Sequence, residues 1–133
     1  MPLEHEALTR AIIGAAIAVH RALGPGFIES IYAAAIALEL DARRIPYQRE
    51  HAIPVVHRGV EVGTHRLDLF VANEIVVELK AVRELNDVHF AIVRSYLRAA
   101  HRQHGVILNF AKARLEVKRV IVPRVPSYPS CPP

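Results

Sequence analysis

Two carboxylates and an ammonium group lie close together in residues 66–80, and their spacing could serve to hold a metal ion. Asp68 precedes Glu78 by ten residues, and Lys80 follows Glu78 by two. Apolar residues alternate with these polar ones on both sides of a short break at residues 72–74. That alternation predicts a β-hairpin, with Asn73 as the turn residue.

The loop length of the hairpin decides which side chains share a face. A three-residue loop, 72–74, places Val71 opposite Ile75 and collects the apolar side chains on one face, whereas a two-residue loop would mix charged residues among them. This apolar face comprises Leu67, Leu69, Val71, Ile75, Val77 and Leu79. The same register places Asp68 opposite Glu78, with Lys80 two residues along on their face.

Facing carboxylates need a compensating charge. At ~5 Å separation and an effective dielectric near 20, their repulsion is on the order of 3 kcal/mol. A divalent cation would reverse its sign, and Mg²⁺ typically takes one or two carboxylates, waters and substrate phosphate. The alternative is an ion network in which Lys80 and Arg66 neutralise the pair. Spacing alone leaves both interpretations open.

Length and composition indicate one folded domain. The chain has 133 residues, of which 52% are hydrophobic. We expect residues 1–122 to form the domain and residues 123–133 a Pro-rich tail. The single cysteine, Cys131, permits no internal disulfide, and no signal segment or membrane span is evident, so a cytoplasmic location is expected. The net charge of +4 suits a polyanionic partner.

The order of predicted elements is α-α-β-β-β-α-β-β, which favours an α/β or α+β domain with helices packed on a mixed sheet. The predicted helices span about 5–23, 28–44 and 87–101, with Asn86 or Asp87 as cap of the third. The predicted strands span 47–56, with a short continuation at 60–62, then 66–71 and 75–80 of the hairpin, 105–110 and 115–122, and Gly63 is expected to form a bulge or bend before the hairpin. In the second helix, Ile31, Ala35, Leu38 and Ala42 recur on one side.

Several helical residues admit an ordinary and a functional interpretation. Glu29, in the first turn of the second helix, complements the helix dipole there, an ordinary placement. In the third helix we predict a buried stripe made of Val88, Ile92, Tyr96 and Ala99. Arg94, Arg98 and Arg102 are spaced by four, which predicts a solvated basic face or, alternatively, a phosphate-contacting one.

Taken together, these residues resemble a known family. Asp68 and Glu78-Leu79-Lys80 are similar to the metal-binding signature of the PD-(D/E)XK nuclease superfamily. Gly26-Phe27-Ile28-Glu29-Ser30-Ile31-Tyr32 resembles the pattern that names its GxxExxY family. Further stretches resemble that family between Leu8 and Val122: Val19-His20-Arg21, Leu23-Gly24-Pro25-Gly26, Leu108-Asn109-Phe110 and Lys118-Arg119-Val120.

The resemblance implies a restriction-endonuclease-like core and a nuclease that uses Mg²⁺ or Mn²⁺ to hydrolyse DNA or RNA. By that resemblance, Asp68, Glu78, the Leu79 carbonyl and Glu29 hold the metal, and Lys80 orients the attacking water and offsets negative charge. Nucleic acid is then the expected partner.

At one position the sequence departs from the pattern of the family that it resembles, and three further residues are candidates for supporting the metal site. Many nucleases of the family that this chain resembles place a Gln on the helix after the lysine, and at the corresponding position this chain has Ile92. His20, Tyr32 and Tyr96 are candidate supporting residues, with helix-end packing as the alternative for His20. A degenerate nuclease fold that binds nucleic acid or a protein partner without cleavage is the alternative function, and a structural domain, such as one subunit of a homodimer, is a third.

Overall fold

The computed structural model describes residues 5–123, in which three helices pack against one five-stranded sheet. The helices are α1 (His5–Leu23), α2 (Glu29–Ala42) and α3 (Asp87–Ala100); the strands are β1 (Tyr47–His57), β2 (Val60–Val71), β3 (Ile75–Lys80), β4 (His104–Asn109) and β5 (Glu116–Ile121). The predicted class and element order are confirmed. No helix among the described residues is long and apolar enough to span a membrane. Beyond residue 123, the proposed tail lies outside the described residues.

The strands lie in sequence order across the sheet. Neighbouring strands are antiparallel except β3 and β4, which are parallel because α3 carries the chain back between them. Lys80 therefore lies beside Asn109 at the carboxyl ends of the two parallel strands, on the same end of the sheet. The N–H of Phe110 donates a hydrogen bond to the Lys80 carbonyl at 2.8 Å, which ties the two strand ends together.

The predicted register of the central hairpin is confirmed. Val71 pairs with Ile75, and Leu69 pairs with Val77, so the loop has the three residues 72–74. Ala72 and Asn73 both adopt left-handed backbone conformations, with φ of 52° and 56°. Asn tolerates that conformation, as the sequence suggested.

The sheet separates two hydrophobic cores, and the prediction of a single apolar hairpin face is wrong at Leu67. Leu69 packs under α1 and α2, but Leu67 packs with the α3 core. The alternation of faces breaks between them, at Asp68. In the β1–β2 register the position opposite Asp68 is Glu50, whose φ of 48° is left-handed, so both strands change face at this point.

The predicted buried stripe of α3 is only partly correct, because Ile92, Tyr96 and Ala99 are half-buried rather than buried. Val93 and Leu97 are the buried residues, whereas Val88 is exposed. The reason lies across the interface in β4: a Cβ at Gly105 would lie 3.0 Å from Val93 Cγ1 and 3.4 Å from Leu97 Cδ1. Because Gly105 leaves that space empty, these two side chains can approach the sheet most closely, and the helix turns them inward.

Helix α2 is apolar on both of its sides. Its buried residues are Tyr32, Ala33, Ile36, Ala37 and Leu40. The opposite side, which carries Ile31 and Leu38, is exposed. The spacing of Ile31, Ala35, Leu38 and Ala42 therefore does not mark the core side of this helix.

Candidate active site

Asp68 lies where the central hairpin opens. The paired part of the β2–β3 ladder ends at Leu69 and Val77. One residue further, Asp68 Oδ2 accepts a hydrogen bond from the Leu79 N–H at 2.8 Å. The Asp68 carboxylate thus accepts the hydrogen bond that a backbone carbonyl of β2 would otherwise accept from β3. This bond fixes the orientation of the Asp68 carboxylate beside Glu78.

Glu78 is the buried acid of the site, with 5% of its surface exposed. Its Oε2 lies 3.3 Å from Lys80 Nζ, while its Oε1 is buried without a hydrogen-bond partner among the described residues. Burial, followed by the negative charge of Asp68, raises the pKa of Glu78 to about 8, although Lys80 acts in the opposite direction. Without a cation, burial and Asp68 therefore favour the protonated form of Glu78.

This arrangement fits a hard divalent cation. The unpartnered Glu78 Oε1 is an oxygen ligand whose burial is unfavourable until it is satisfied. Asp68 supplies a second, half-buried carboxylate. The part of the chain from residue 5 to 123 contains no cluster of three or more His, Cys, Asp or Glu side chains suited to a metal. Mg²⁺ does not require one, because waters and substrate phosphate complete its shell.

The alternative ion network forms only in part. Lys80 pairs with Glu78, as that interpretation requires. Arg66 instead directs its guanidinium to the backbone carbonyl of Glu50, at 3.4 Å. Lys80 is therefore the cation with a described contact to this carboxylate pair.

Helix α3 forms one wall of the site. Burial, followed by the negative charges of Glu78 and Asp68, raises the pKa of Tyr96. The His65 ring packs edge-on against the Tyr96 ring at 4.6 Å, and His65 Nε2 lies 3.2 Å from Ser95 Oγ. Tyr96 therefore lies on the α3 wall within the field of the two acids, and its supporting role stays a prediction.

No role could be assigned to Ser95 and His65 from the sequence, because neither belongs to a recognisable motif. The Ser95 hydroxyl donates a hydrogen bond to the carbonyl of Ile92 at 2.6 Å. Polar contacts on this wall are thus made by Ser95, three residues after Ile92 in α3, and by His65 of β2.

Asn109 is a further residue that the sequence analysis gave no role. It is fully buried, and its amide makes four hydrogen bonds. Oδ1 accepts from the N–H groups of Val82 and Ala111, and Nδ2 donates to the Val82 carbonyl and to Glu116 Oε1. Asn109 thereby anchors the segment that leaves the site just after Lys80.

The remaining candidates lie on the α1–α2 side. Glu29 is half-buried in the first turn of α2 and joins no three-residue metal cluster with the two acids, so its ligand role stays a prediction. The Tyr32 hydroxyl donates to the Gly24 carbonyl at 2.6 Å and accepts from the Phe27 N–H at 3.2 Å. It therefore shapes the loop before Glu29.

His20 has a packing contact of its own. Its Nε2 lies 2.9 Å from the carbonyl oxygen of Lys112, and its ring packs near that of Phe110, with centroids 5.9 Å apart. The helix-end packing alternative accounts for both contacts. His20 holds the loop that follows β4.

The three arginines do not form one helical stripe. Helix α3 ends at Ala100, and Arg102 lies past the left-handed His101, with φ of 57°. Arg102 Nε donates to the Asn73 carbonyl at 2.8 Å, so it secures the hairpin turn. Arg94 is half-buried and Arg98 exposed on the helix itself.

A family model described as the PD-(D/E)XK nuclease superfamily matches residues 6–120. The matched segment runs from α1 into β5 and includes Asp68, Glu78 and Lys80. Comparisons with curated proteins and with solved structures found no match.

Proposed function

Because the chain belongs to the PD-(D/E)XK nuclease superfamily, we propose that it is a metal-dependent nuclease that hydrolyses phosphodiester bonds of DNA or RNA. Its mixed five-stranded sheet with flanking helices is consistent with the restriction-endonuclease-like fold of that superfamily. The observation that carries the proposal is the buried, unpartnered Oε1 of Glu78 next to Asp68.

Each residue of the centre has a role in this proposal. Nucleases of this superfamily generally use divalent metals, and Asp68, Glu78 and the carbonyl of Leu79 would hold Mg²⁺ or Mn²⁺, with Glu29 contributing from α2. The cation supplies Lewis-acid stabilisation of the charge that develops on the phosphate. The Lys80 ammonium, held by Glu78, orients the attacking water and offsets the same negative charge.

We assign the chain within the superfamily to the GxxExxY family. The contacts of its motif residues support this assignment. Gly26 has φ of 112°, a conformation that favours glycine, and Tyr32 ties down the loop through its hydroxyl. Both residues thus set the start of α2, where Glu29 lies.

The substrate-binding surface in this proposal includes the α3 wall. Arg94 and Arg98 are four residues apart and therefore share one face of α3, a different face from that of Tyr96, where they would contact phosphates more distant from the scissile one. Reversing the charge of Arg98 should weaken binding and reduce the dependence of log affinity on log salt concentration by about one unit. Unchanged affinity and salt dependence would remove this surface from the proposal.

The proposed activity is tested with wild type, Asp68→Ala and Lys80→Ala on labelled DNA and RNA, with Mg²⁺ and with Mn²⁺. Both substitutions should abolish cleavage, since each removes a group at the reacting phosphate. Glu61→Ala and Lys118→Ala, which change exposed residues of β2 and β5, are matched controls and should cleave normally. Equal absence of cleavage by all five proteins, with nucleic acid still bound, would favour the non-catalytic alternative.

A further inference from the structure

A cavity of about 340 Å³ lies between the end of α1 and the segment that joins β4 to β5. Ile17, Leu115 and Val117 form its apolar lining, and the side chains of Arg21, from α1, and Arg114, from the joining segment, also line it. This volume is at the lower end of the roughly 300–1,000 Å³ that is typical of small-ligand sites. An apolar lining beside two cations suits an organic anion.

The two arginines of this cavity are available to a ligand. Both are exposed, and within residues 5–123 the arginine ion pairs are those of Arg10, Arg43 and Arg119. A guanidinium group presents its donors in a planar fork that matches two oxygens of a phosphate, and it can also stack on a planar base. Arg21 and Arg114 therefore suit the phosphate and the base of a nucleotide.

The acid at the start of β5 does not compensate these two charges. One carboxylate oxygen of Glu116 lies 3.2 Å from Lys112 Nζ and accepts a hydrogen bond from Asn109 Nδ2 at 3.0 Å. Glu116 is thus occupied by Lys112 and Asn109 rather than by the arginines. The cavity therefore keeps a positive charge that attracts an anion.

The strand pairing places this cavity close to the proposed metal site. Val117 of its lining pairs with Leu108 in β4, and Leu108 in turn pairs with Leu79 in β3. Neighbouring strands are ~4.8 Å apart, so Val117 lies ~10 Å from Leu79. Successive nucleotides of one strand advance by ~3.4 Å along a duplex, so this distance corresponds to about three nucleotides. One substrate strand is therefore long enough to occupy both places.

Phe110 connects the cavity with the strand end at which Lys80 lies. His20, which lines the cavity, packs its ring near that of Phe110, with centroids 5.9 Å apart. The Phe110 ring stacks on Tyr32 at 4.2 Å, and its N–H donates to the Lys80 carbonyl at 2.8 Å. The cavity is thus on the α1–α2 side of the sheet, next to this strand end. A strand that crosses the end of the sheet passes from the metal site to the cavity.

We propose that this cavity binds one unpaired nucleotide of the substrate strand, about three nucleotides from the scissile phosphate. Arg21 and Arg114 hold its phosphate, and its base or sugar covers the apolar lining. A paired nucleotide keeps its base stacked inside the duplex, so it would present its phosphate and leave the lining uncovered. The inference rests on the proposed nuclease function and specifies its substrate class as single-stranded nucleic acid or duplexes with an unpaired end.

Fluorescence anisotropy of the full chain in EDTA tests the proposal, with labelled DNA and RNA single strands of about 12 nucleotides and the corresponding duplexes. Arg21→Ala and Arg114→Ala should each weaken single-strand binding by roughly tenfold or more, because each removes a charge-assisted phosphate contact, and duplex binding by less than about threefold. Arg58→Ala removes an exposed cation from the turn between β1 and β2 and should bind both ligands like wild type.

The outcomes separate this proposal from the proposed nuclease function. Absence of single-strand binding by wild type, or equal weakening of single-strand and duplex binding in the two variants, would overturn the proposal. Cleavage by the same proteins is then measured in Mn²⁺. Arginine-dependent binding of single strands without cleavage would support the cavity and contradict the nuclease function. Cleavage by wild type, with single-strand affinity unchanged in Arg21→Ala and Arg114→Ala, would contradict the cavity alone.

Discussion

Replacing Glu78 by Gln should stabilise the metal-free protein at high pH, because it removes a carboxylate that burial and Asp68 make difficult to ionise. The pKa of Glu78 rises from 4.5 to about 8 on folding. At ~1.4 kcal/mol per pKa unit, the corresponding cost of ionising Glu78 in the folded protein is on the order of 4–5 kcal/mol. A Gln amide keeps the shape and can donate a hydrogen bond to Asp68.

The sign of this effect depends on pH. Below pH 4.5, Glu78 is protonated in both the folded and the unfolded chain, so it imposes no cost. As pH rises from 4.5 to about 8, the unfolded chain ionises first and the folded protein loses stability; above that range the full cost is present. Glu78→Gln should therefore be nearly neutral at pH 4.5 and stabilising by several kcal/mol at pH 9.

Urea denaturation in EDTA at these two pH values measures the effect. Glu116→Gln is the control of opposite sign, because the hydrogen bond from Asn109 lowers the pKa of Glu116. The contribution of Glu116 to stability is present above its unfolded pKa and lost as pH falls, so Glu116→Gln should destabilise at pH 9. A Glu78→Gln variant that is no more stable than wild type at pH 9 would refute our account of the buried acid.

Three further substitutions test the supports of the site. Asn109→Ala should destabilise by roughly 2–4 kcal/mol in urea titrations, since it leaves the backbone N–H and carbonyl of Val82 without their partner and removes one of the hydrogen bonds to Glu116; a loss below 1 kcal/mol would contradict this. Tyr32→Phe should cost about 1–2 kcal/mol through the loss of bonds to Gly24 and Phe27, measured in the same way, and an unchanged midpoint would count against that role. Gly105→Ala should destabilise by about 1–3 kcal/mol, because the new methyl group meets Val93 at 3.0 Å, and an unaltered melting temperature would mean that α3 can shift freely.

The sequence was most informative about the strands, in which side chains change face at every residue and the hydrophobic pattern repeats every two residues. The hairpin register followed from the apolar alternation, because a shift of one residue would have buried Glu78 and Lys80 among leucines. The same rule was wrong at Leu67, since the strand changes face at Asp68 opposite the left-handed Glu50. A local backbone conformation of that kind leaves no mark in the hydrophobic pattern.

Helical spacing was less informative because α2 and α3 carry more than one apolar stripe. The buried stripe of α3 is selected by the gap at Gly105, a residue of another strand. In α2 both sides are apolar, and only packing against α1 and the sheet decides which is buried. Contacts distant in sequence therefore decided both cases.

The acids and the lysine of the site could be predicted because all three lie in one hairpin. Asn109 could not, since its partners at Val82, Ala111 and Glu116 come together only in the folded chain. Ser95 and His65 are 30 residues apart and meet across the α3 wall. Such contacts follow from the crossover topology rather than from a motif.

The central claim is that Asp68 and Glu78 together bind a divalent cation, and anomalous diffraction from crystals soaked in Mn²⁺ tests it most directly. We predict a peak about 2.0–2.3 Å from one oxygen of each carboxylate, absent from Asp68→Ala crystals soaked identically. No peak between these two residues at saturating Mn²⁺, or an unchanged peak in Asp68→Ala, would contradict the claim.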